Sequence, residues 1–210
     1  MLANRQSRSG MTLIQVLVGL TIGLILLALT LCAVSLAREA ANRVNCQSNQ
    51  ANFGKAAANY ESINGQYPVF DWLESLRPHL GDGPAGPGAI SIDPRLFVCP
   101  SDGQFVLPNA GLCTSYGFSS KLTTGIGAGG VTDGLSNTIM MSEARASRLK
   151  AALPSGPEFE GVDLRHAGHR FGANALFADG SVRFLPAERF APEILAALFT
   201  PSGFEVVEMP

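Results

Sequence analysis

The sequence predicts an α+β fold in which one long N-terminal α-helix, membrane-spanning in its first half, packs against a small antiparallel β-sheet. Three observations carry that expectation. Every residue from Met11 to Ala37 is uncharged. The stretch from Ser35 to Ile63 contains no proline and is rich in Ala, Arg, Glu and Gln. Beyond Tyr67, short apolar runs alternate with turn residues, the sharpest turn being Asp179-Gly180 inside "NALFADGSVRFL".

The uncharged run comes first. Its 27 residues exceed the roughly 20 needed to cross a hydrocarbon core about 30 Å thick as a helix. A secretory signal has a shorter apolar centre, about 7–15 residues, followed by a small-residue cleavage site. Here the run passes directly into "SLAREAANRVNCQ", so the segment is expected to stay in the membrane. Arg5 and Arg8 precede it and favour a cytoplasmic N-terminus with an exported C-terminal part. Arg38 and Arg43 on the far side weaken that asymmetry without reversing it.

The helix is expected to continue past the membrane, because local propensity stays helical to Ile63. Cys46, Phe53 and Tyr60 recur every seven residues, and Ala56, Ala57 and Ile63 fill the neighbouring i+3 and i+4 positions. Together they make one apolar stripe for a sheet to cover, with Gly54 as an interruption. "NGQYP", ending in Pro68, is the stop signal. A helix from Met11 to Ile63 would be on the order of 80 Å long. The organisation that follows is 11–37 in the membrane, 38–63 as the exported half of the helix, and 64–210 as one α+β domain.

The 147 residues after Ile63 suffice for one packed core. The mean hydropathy of +0.19 reflects the anchor rather than this domain. Net charge is −2, and no Lys/Arg cluster occurs, which excludes nucleic acid as a partner. Neither a glycine-rich phosphate loop nor a GxSxG nucleophile elbow is present. "VFDWLESLRPHL" reads as a brief amphipathic helix with Phe70, Leu73, Leu76 and Leu80 on one side, and "GDGPAGPGAISIDP" as a Gly/Pro-rich loop. A compact array follows in "RLFVCPSD", "TSYGFS", "VTDGLSNTIMMSEA" and "NALFADGSVRFL". A two-residue turn at Asp179-Gly180 would put Ala175 and Phe177 on the face of Val182 and Phe184, against the helix, with Arg183 opposite.

Two resemblances sharpen this reading. Gly10 directly before "MTLIQVLVGLTIG" resembles the type IV prepilin N-terminus, where a prepilin peptidase cuts after glycine and methylates the new amino terminus. That resemblance makes residues 1–10 a leader, Gly10 its last residue and Met11, where Phe is usual, the first mature residue. Losing Arg5 and Arg8 with it would take the net charge to −4. Gln15 stands where most pilins carry the Glu thought to pair with a neighbour's amine during assembly. A neutral Gln avoids the roughly 2.5–3.5 kcal/mol insertion cost of a charge and keeps a hydrogen bond of about 1 kcal/mol. A subunit that enters filaments weakly, or at a tip, is expected. Second, His169 followed after nine residues by Asp179-Gly180 is similar to the H-X9-DG signature of the prepilin-like DUF1559 family. "AREAANRVNCQSN", "FVCPSD", "VTDGLSNTIMMSE" and "EILAALFTPSGFEVV" occur in the order that family shows.

These resemblances imply a pilin-like fold in a non-enzymatic, single-pass protein of the bacterial inner membrane, with its C-terminal domain periplasmic or extracellular. They imply a minor subunit or interaction component of a type II secretion or type IV pilus-like assembly. Its partners would be prepilin peptidase, other pilin-like subunits through the N-terminal helix, and membrane lipid. A tethered periplasmic binding module or hydrolase that uses the leader only for export is the alternative, with the His166/His169 region as its site.

The chemistry-bearing residues are read as structural, and no cofactor or metal is expected. His166 and His169 lie three residues apart with Asp163 nearby, but His79 is distant and zinc wants three or four ligands. No loop has the ligand spacing calcium needs. His169 is expected to hydrogen-bond backbone at the hairpin's entry. Asp179, Asp133 and Asp102 are expected to accept local backbone N–H bonds, beside Gly180, Gly134 and Asn137. Ser136 would need a base within reach to act as a nucleophile, and a turn leading into a strand over Thr138–Ser142 is preferred. Cys99 and Cys113 bracket a 13-residue loop whose closure would contribute about 3 kcal/mol, and that pairing is favoured. Cys46, on the helix stripe, competes for Cys99.

Overall fold

The computed structural model describes residues 12–69, 71–80, 94–102, 114–143, 158–159, 169 and 171–203. The helices are α1 (Leu13–Asn64), α2 (Trp72–Leu76) and α3 (Pro192–Phe199). The strands are β1 (Tyr116–Ser119), β2 (Ile139–Glu143), β3 (Glu158–Phe159), β4 (Gly172–Phe177) and β5 (Val182–Pro186). The chain divides into two compact units, Met1–Ala40 and Ala41–Pro210.

In the first unit, α1 opens with a reciprocal cap. Thr12 N–H donates to Gln15 Oε1 at 3.0 Å, and Gln15 N–H donates to Thr12 Oγ1 at 3.4 Å. Two of the four orphan donors of a helix start are thereby satisfied by a Thr-x-x-Gln capping box. From Leu13 to Leu36 the Leu, Ile and Val side chains stand exposed, Leu13 at 82% and Leu36 at 69%. The hydroxyls of Thr21, Thr30 and Ser35 each donate at 2.8 Å to the carbonyl three residues back, so they present no unmet donor to an apolar surround. A helix apolar all round is one for lipid or for other helices, and α1 is long and apolar enough to cross a membrane.

The helix continues without a break to Asn64. Gly65 then adopts φ +72° and its N–H donates to the Glu61 carbonyl at 2.7 Å, a glycine stop of the usual left-handed kind. In the second unit, Cys46, Phe53, Ala56 and Ala57 are buried as the stripe required, together with Gln50 and Gly54. Burial runs out one turn early: Tyr60 is half-buried against the His79 ring, and Ile63 is 72% exposed. Ile63 therefore belongs to the helix but not to the core.

The sheet runs in the order β3-β1-β2-β4-β5. Its four main strands are antiparallel neighbours, and the two-residue β3 joins β1 in parallel. A bulge at Met140 shifts the β2–β4 register by one residue, as an extra residue on one strand must. One face packs on α1: Tyr116, Phe118, Met140 and Leu176 share a core with Cys46, Phe53, Trp72 and Leu76. Phe53 sits at its centre, with the rings of Trp72, Phe97 and Tyr116 at 5.8, 5.7 and 5.8 Å. Trp72 and Leu73 open α2 and Leu76 closes it, all three buried; Leu80 is half-buried, and Phe70 lies outside the described residues. The opposite face carries Ile139, Ala173, Ala175, Phe177 and Leu185 beneath Leu198 and Phe199 of α3.

The β4–β5 hairpin corrects the sequence reading. Leu176 pairs with Val182, Ala175 with Arg183 and Asn174 with Phe184. Hence Asn174 and Leu176, not Ala175 and Phe177, share the helix-facing side with Val182 and Phe184. The cause is loop length. Phe177 N–H donates to Ser181 O at 2.8 Å and Gly180 N–H to Phe177 O at 2.9 Å, which encloses Ala178, Asp179 and Gly180. A three-residue loop with Gly in the left-handed region (φ +82°) displaces the register by one relative to a two-residue turn. Arg183 does lie opposite the helix, its guanidinium 4.7 Å from the centre of the Phe177 ring.

Candidate functional site

Four elements converge on one buried cluster. Cys46 comes from α1. Cys99 follows the 3-10 turn Pro94–Phe97, Glu143 ends β2, and His169 forms an isolated bridge with Gly172 just before β4. One ligand-capable atom from each lies within 4.8 Å of the others, and all four residues are buried. His169 Nε2 stands 3.3 Å from Glu143 Oε1 and 3.5 Å from Cys99 Sγ.

The local sequence explains how the cluster is held. The tight turn between His169 and Gly172 puts Phe171 at φ +68°. A Cβ at Gly172 would collide with the Leu185 carbonyl oxygen and lie 2.7 Å from Phe184 Cζ, so only glycine brings β4 this close to β5 here. Asn174, two residues on, fixes the carboxylate: its Nδ2 donates to Glu143 Oε1 at 2.7 Å and its backbone N–H to Glu143 Oε2 at 3.2 Å. Gln47 Nε2 in turn donates to Asn174 Oδ1 at 3.1 Å, and Gln50 Nε2 and Ser142 Oγ donate to the Asn174 carbonyl at 3.1 and 3.3 Å. Charge-assisted bonds of this kind keep a buried carboxylate tolerable. Tyr116, paired with Glu143 across β1 and β2, has its phenol pushed well up by burial. The charges of Glu143 and Asp102 add to that shift, and a hydrogen bond from Asn49 opposes it.

The disulfide differs from the favoured expectation. Cys99 is bonded to Cys46, with Cα atoms 5.4 Å apart, and not to Cys113, which lies outside the described residues. The link spans 53 residues, a closure worth about 4 kcal/mol in the chain-entropy model. Burial decides the pairing: Cys46 faces the core from α1 directly opposite the turn that carries Cys99. Cys32 is a free, exposed cysteine on the first unit's helix.

The other singled-out residues that are described do not belong to this cluster. Asp133 Oδ2 accepts from Gly203 N–H at 2.6 Å, and Asp133 N–H donates to the Pro201 carbonyl at 3.3 Å, a tie between segments far apart in sequence. Asn137 Nδ2 donates to the Asp133 carbonyl at 3.3 Å, and Gly134 takes φ +94°. Asp102 Oδ2 accepts from the Ser115 hydroxyl at 3.0 Å. Asp179 Oδ1 accepts from Ser181 N–H at 2.8 Å. Ala178 and Asp179 N–H donate to the Thr138 and Leu135 carbonyls at 2.9 and 3.0 Å, docking the hairpin tip on the "TDGLSNT" loop. Ser136 is exposed there, whereas His169 is 5% exposed. Gly10, Met11, Asp163 and His166 lie outside the described residues. The sequence alone does not mark Cys46, Glu143, Asn174 or Gly172 as site residues; the signal available is that Cys46, Cys99 and Glu143 each fall within one of the resemblance segments.

Residues 35–89 match the family described as "Protein of unknown function (DUF1559)", a segment that includes Cys46 and the second half of α1. No curated protein and no solved structure matches the chain. A sheet-bearing helix that begins in an apolar run thus carries, over residues 35–89, a segment similar to the DUF1559 family.

Proposed function

We propose that this protein is a prepilin-like, membrane-anchored exported subunit, cut after Gly10 by a prepilin peptidase and working without catalysis as a minor or interaction component of a type II secretion or pilus-like assembly. The observation that carries the reading is the all-round exposure of apolar side chains from Leu13 to Leu36, on a helix whose later turns hold a sheet. Such a surface is covered by lipid while the subunit is stored and by like helices when it assembles. The inner membrane is its place, crossed once, with the C-terminal domain on the exported side. Burial of His169 beside Glu143 and Cys99, while Ser136 is exposed, supports a non-enzymatic role.

Gln15 caps its own helix through Thr12, a bond it gains without a neighbour's amine. That favours weak or tip entry into a filament. Mass spectrometry of the mature N-terminus, in cells with and without prepilin peptidase, tests the reading. N-methylated Met11 is expected only where the peptidase is present. An intact Met1, or a cut beyond Ala37, would overturn it.

A further inference from the structure

We propose that Cys46, Cys99, Glu143 and His169 form a tetrahedral zinc site when the two cysteines are reduced, and that the Cys46–Cys99 disulfide is the oxidised alternative to that site. Geometry leads. Zinc bonds of about 2.3 Å to sulfur and about 2.0–2.2 Å to nitrogen and oxygen set ligand–ligand edges of roughly 3.3–3.8 Å in a tetrahedron. His169 Nε2 already stands 3.3 Å from Glu143 Oε1 and 3.5 Å from Cys99 Sγ, and all four ligand atoms lie within 4.8 Å. The remaining edge is the one between the sulfurs. Once their bond is broken, a Cα–Cα separation of 5.4 Å lets them part to a tetrahedral edge by side-chain rotation.

Chemistry selects the metal class. Two thiolates and an imidazole are soft and borderline donors that suit zinc and not magnesium or calcium. One Zn²⁺ with two thiolates, a carboxylate and a neutral imidazole leaves a single negative charge. The Asn174 amide and backbone N–H already donate to that carboxylate, the kind of outer support that orients a metal ligand. Nε2 would bind the ion, leaving Nδ1 to carry the ring proton.

The exchange balances in two steps. A two-electron reductant of the phosphine class cleaves the S–S bond, giving two thiols and a phosphine oxide whose oxygen comes from water. Zn²⁺ then displaces both thiol protons to form two Zn–S bonds. Oxidation by a disulfide-bearing thiol oxidoreductase reverses the outcome, because re-forming the S–S bond removes both thiolates and releases the ion.

The test uses the full chain in detergent, carrying Cys32→Ser and Cys113→Ser so that two of its four cysteines remain. Half is reduced anaerobically with a phosphine and half is left oxidised. Each is mixed with Zn²⁺, passed through a desalting column and analysed for metal. One zinc per reduced chain and none per oxidised chain is expected. Co²⁺ in place of zinc should give thiolate-to-metal charge transfer and the intense visible bands of a tetrahedral ion, a readout that needs no ligand substitution. Asn174→Ala, which keeps all four ligands and removes the side-chain bond that orients Glu143, should lower zinc affinity about 10–100-fold. Zinc lost from the reduced chain on desalting, equal zinc in both halves, or weak octahedral cobalt bands would each overturn the proposal.

Discussion

Leu176 occupies the space that Gly54 leaves open. Its Cδ1 lies 2.9 Å from where a Cβ on Gly54 would sit, and the backbone of Gly180 is 3.6 Å from the same point. The glycine that interrupts the helix stripe is therefore a contact made by having no side chain: it lets α1 approach β4 and the hairpin loop together. Gly54→Leu is expected to destabilise the sheet-bearing unit by about 1–3 kcal/mol through overpacking, despite the gain in helix propensity. Chemical denaturation of the chain in detergent measures this, and an unchanged midpoint would show that the approach is not tight.

Asn174→Ala removes the amide that holds Glu143. A buried carboxylate would keep the backbone N–H and lose the shorter side-chain bond at 2.7 Å, while Gln47 loses its acceptor. The expected cost is about 1–3 kcal/mol, read as a lowered unfolding midpoint of the oxidised protein. Asn174→Asp should be worse still, placing a second acidic group against Glu143.

Asp133→Ala cuts the bond from Gly203 N–H at 2.6 Å. A charge-assisted bond of this length contributes about 1.5–3 kcal/mol. Faster amide exchange should appear at Gly203 and Asp133, the residue that donates to Pro201, while the β2–β4 ladder stays protected. Exchange that rises uniformly across the sheet would assign Asp133 a global role instead.

Alkaline stability should follow Tyr67. Burial, and secondarily the charge of Glu61, push its phenol up to about 12 from the ordinary value of about 10. The folded state holds that proton more tightly than the unfolded chain. The contribution is thus complete below about pH 10 and is lost as pH rises through about 12. Tyr67→Phe should flatten the fall in stability across that window, and an unaltered slope would place its cause elsewhere.

Much of the fold was legible because its signals are long or local. The apolar run and the Pro-free stretch define α1, and Gly65 ends it one residue beyond the expected Ile63. The Asp179-Gly180 turn was visible, but its length was not, since two- and three-residue loops both place Gly at a positive φ. That single residue moved Leu176 to the helix and Phe177 to α3. Only the start of "RLFVCPSD" is regular, as part of the 3-10 turn Pro94–Phe97, and the parallel β3 has only two residues, too few for any periodicity. The cluster was hidden for a different reason. Its ligand-capable residues are spread from Cys46 to His169, and nothing in their spacing joins them; only the packing of α1 on β2 and β4 does. His166, three residues from His169 in the sequence, lies outside the described residues.

The crosslink between Cys46 and Cys99 also bears on how the molecule takes mechanical load. A pull on the apolar helix travels along the backbone and reaches Cys46 before it reaches Phe53. With the bond closed, part of that tension passes directly into the turn at Cys99, sparing the aromatic contacts farther along α1. The oxidised protein should therefore resist extraction by its membrane end with a higher rupture force than the reduced one, a difference that single-molecule pulling would resolve.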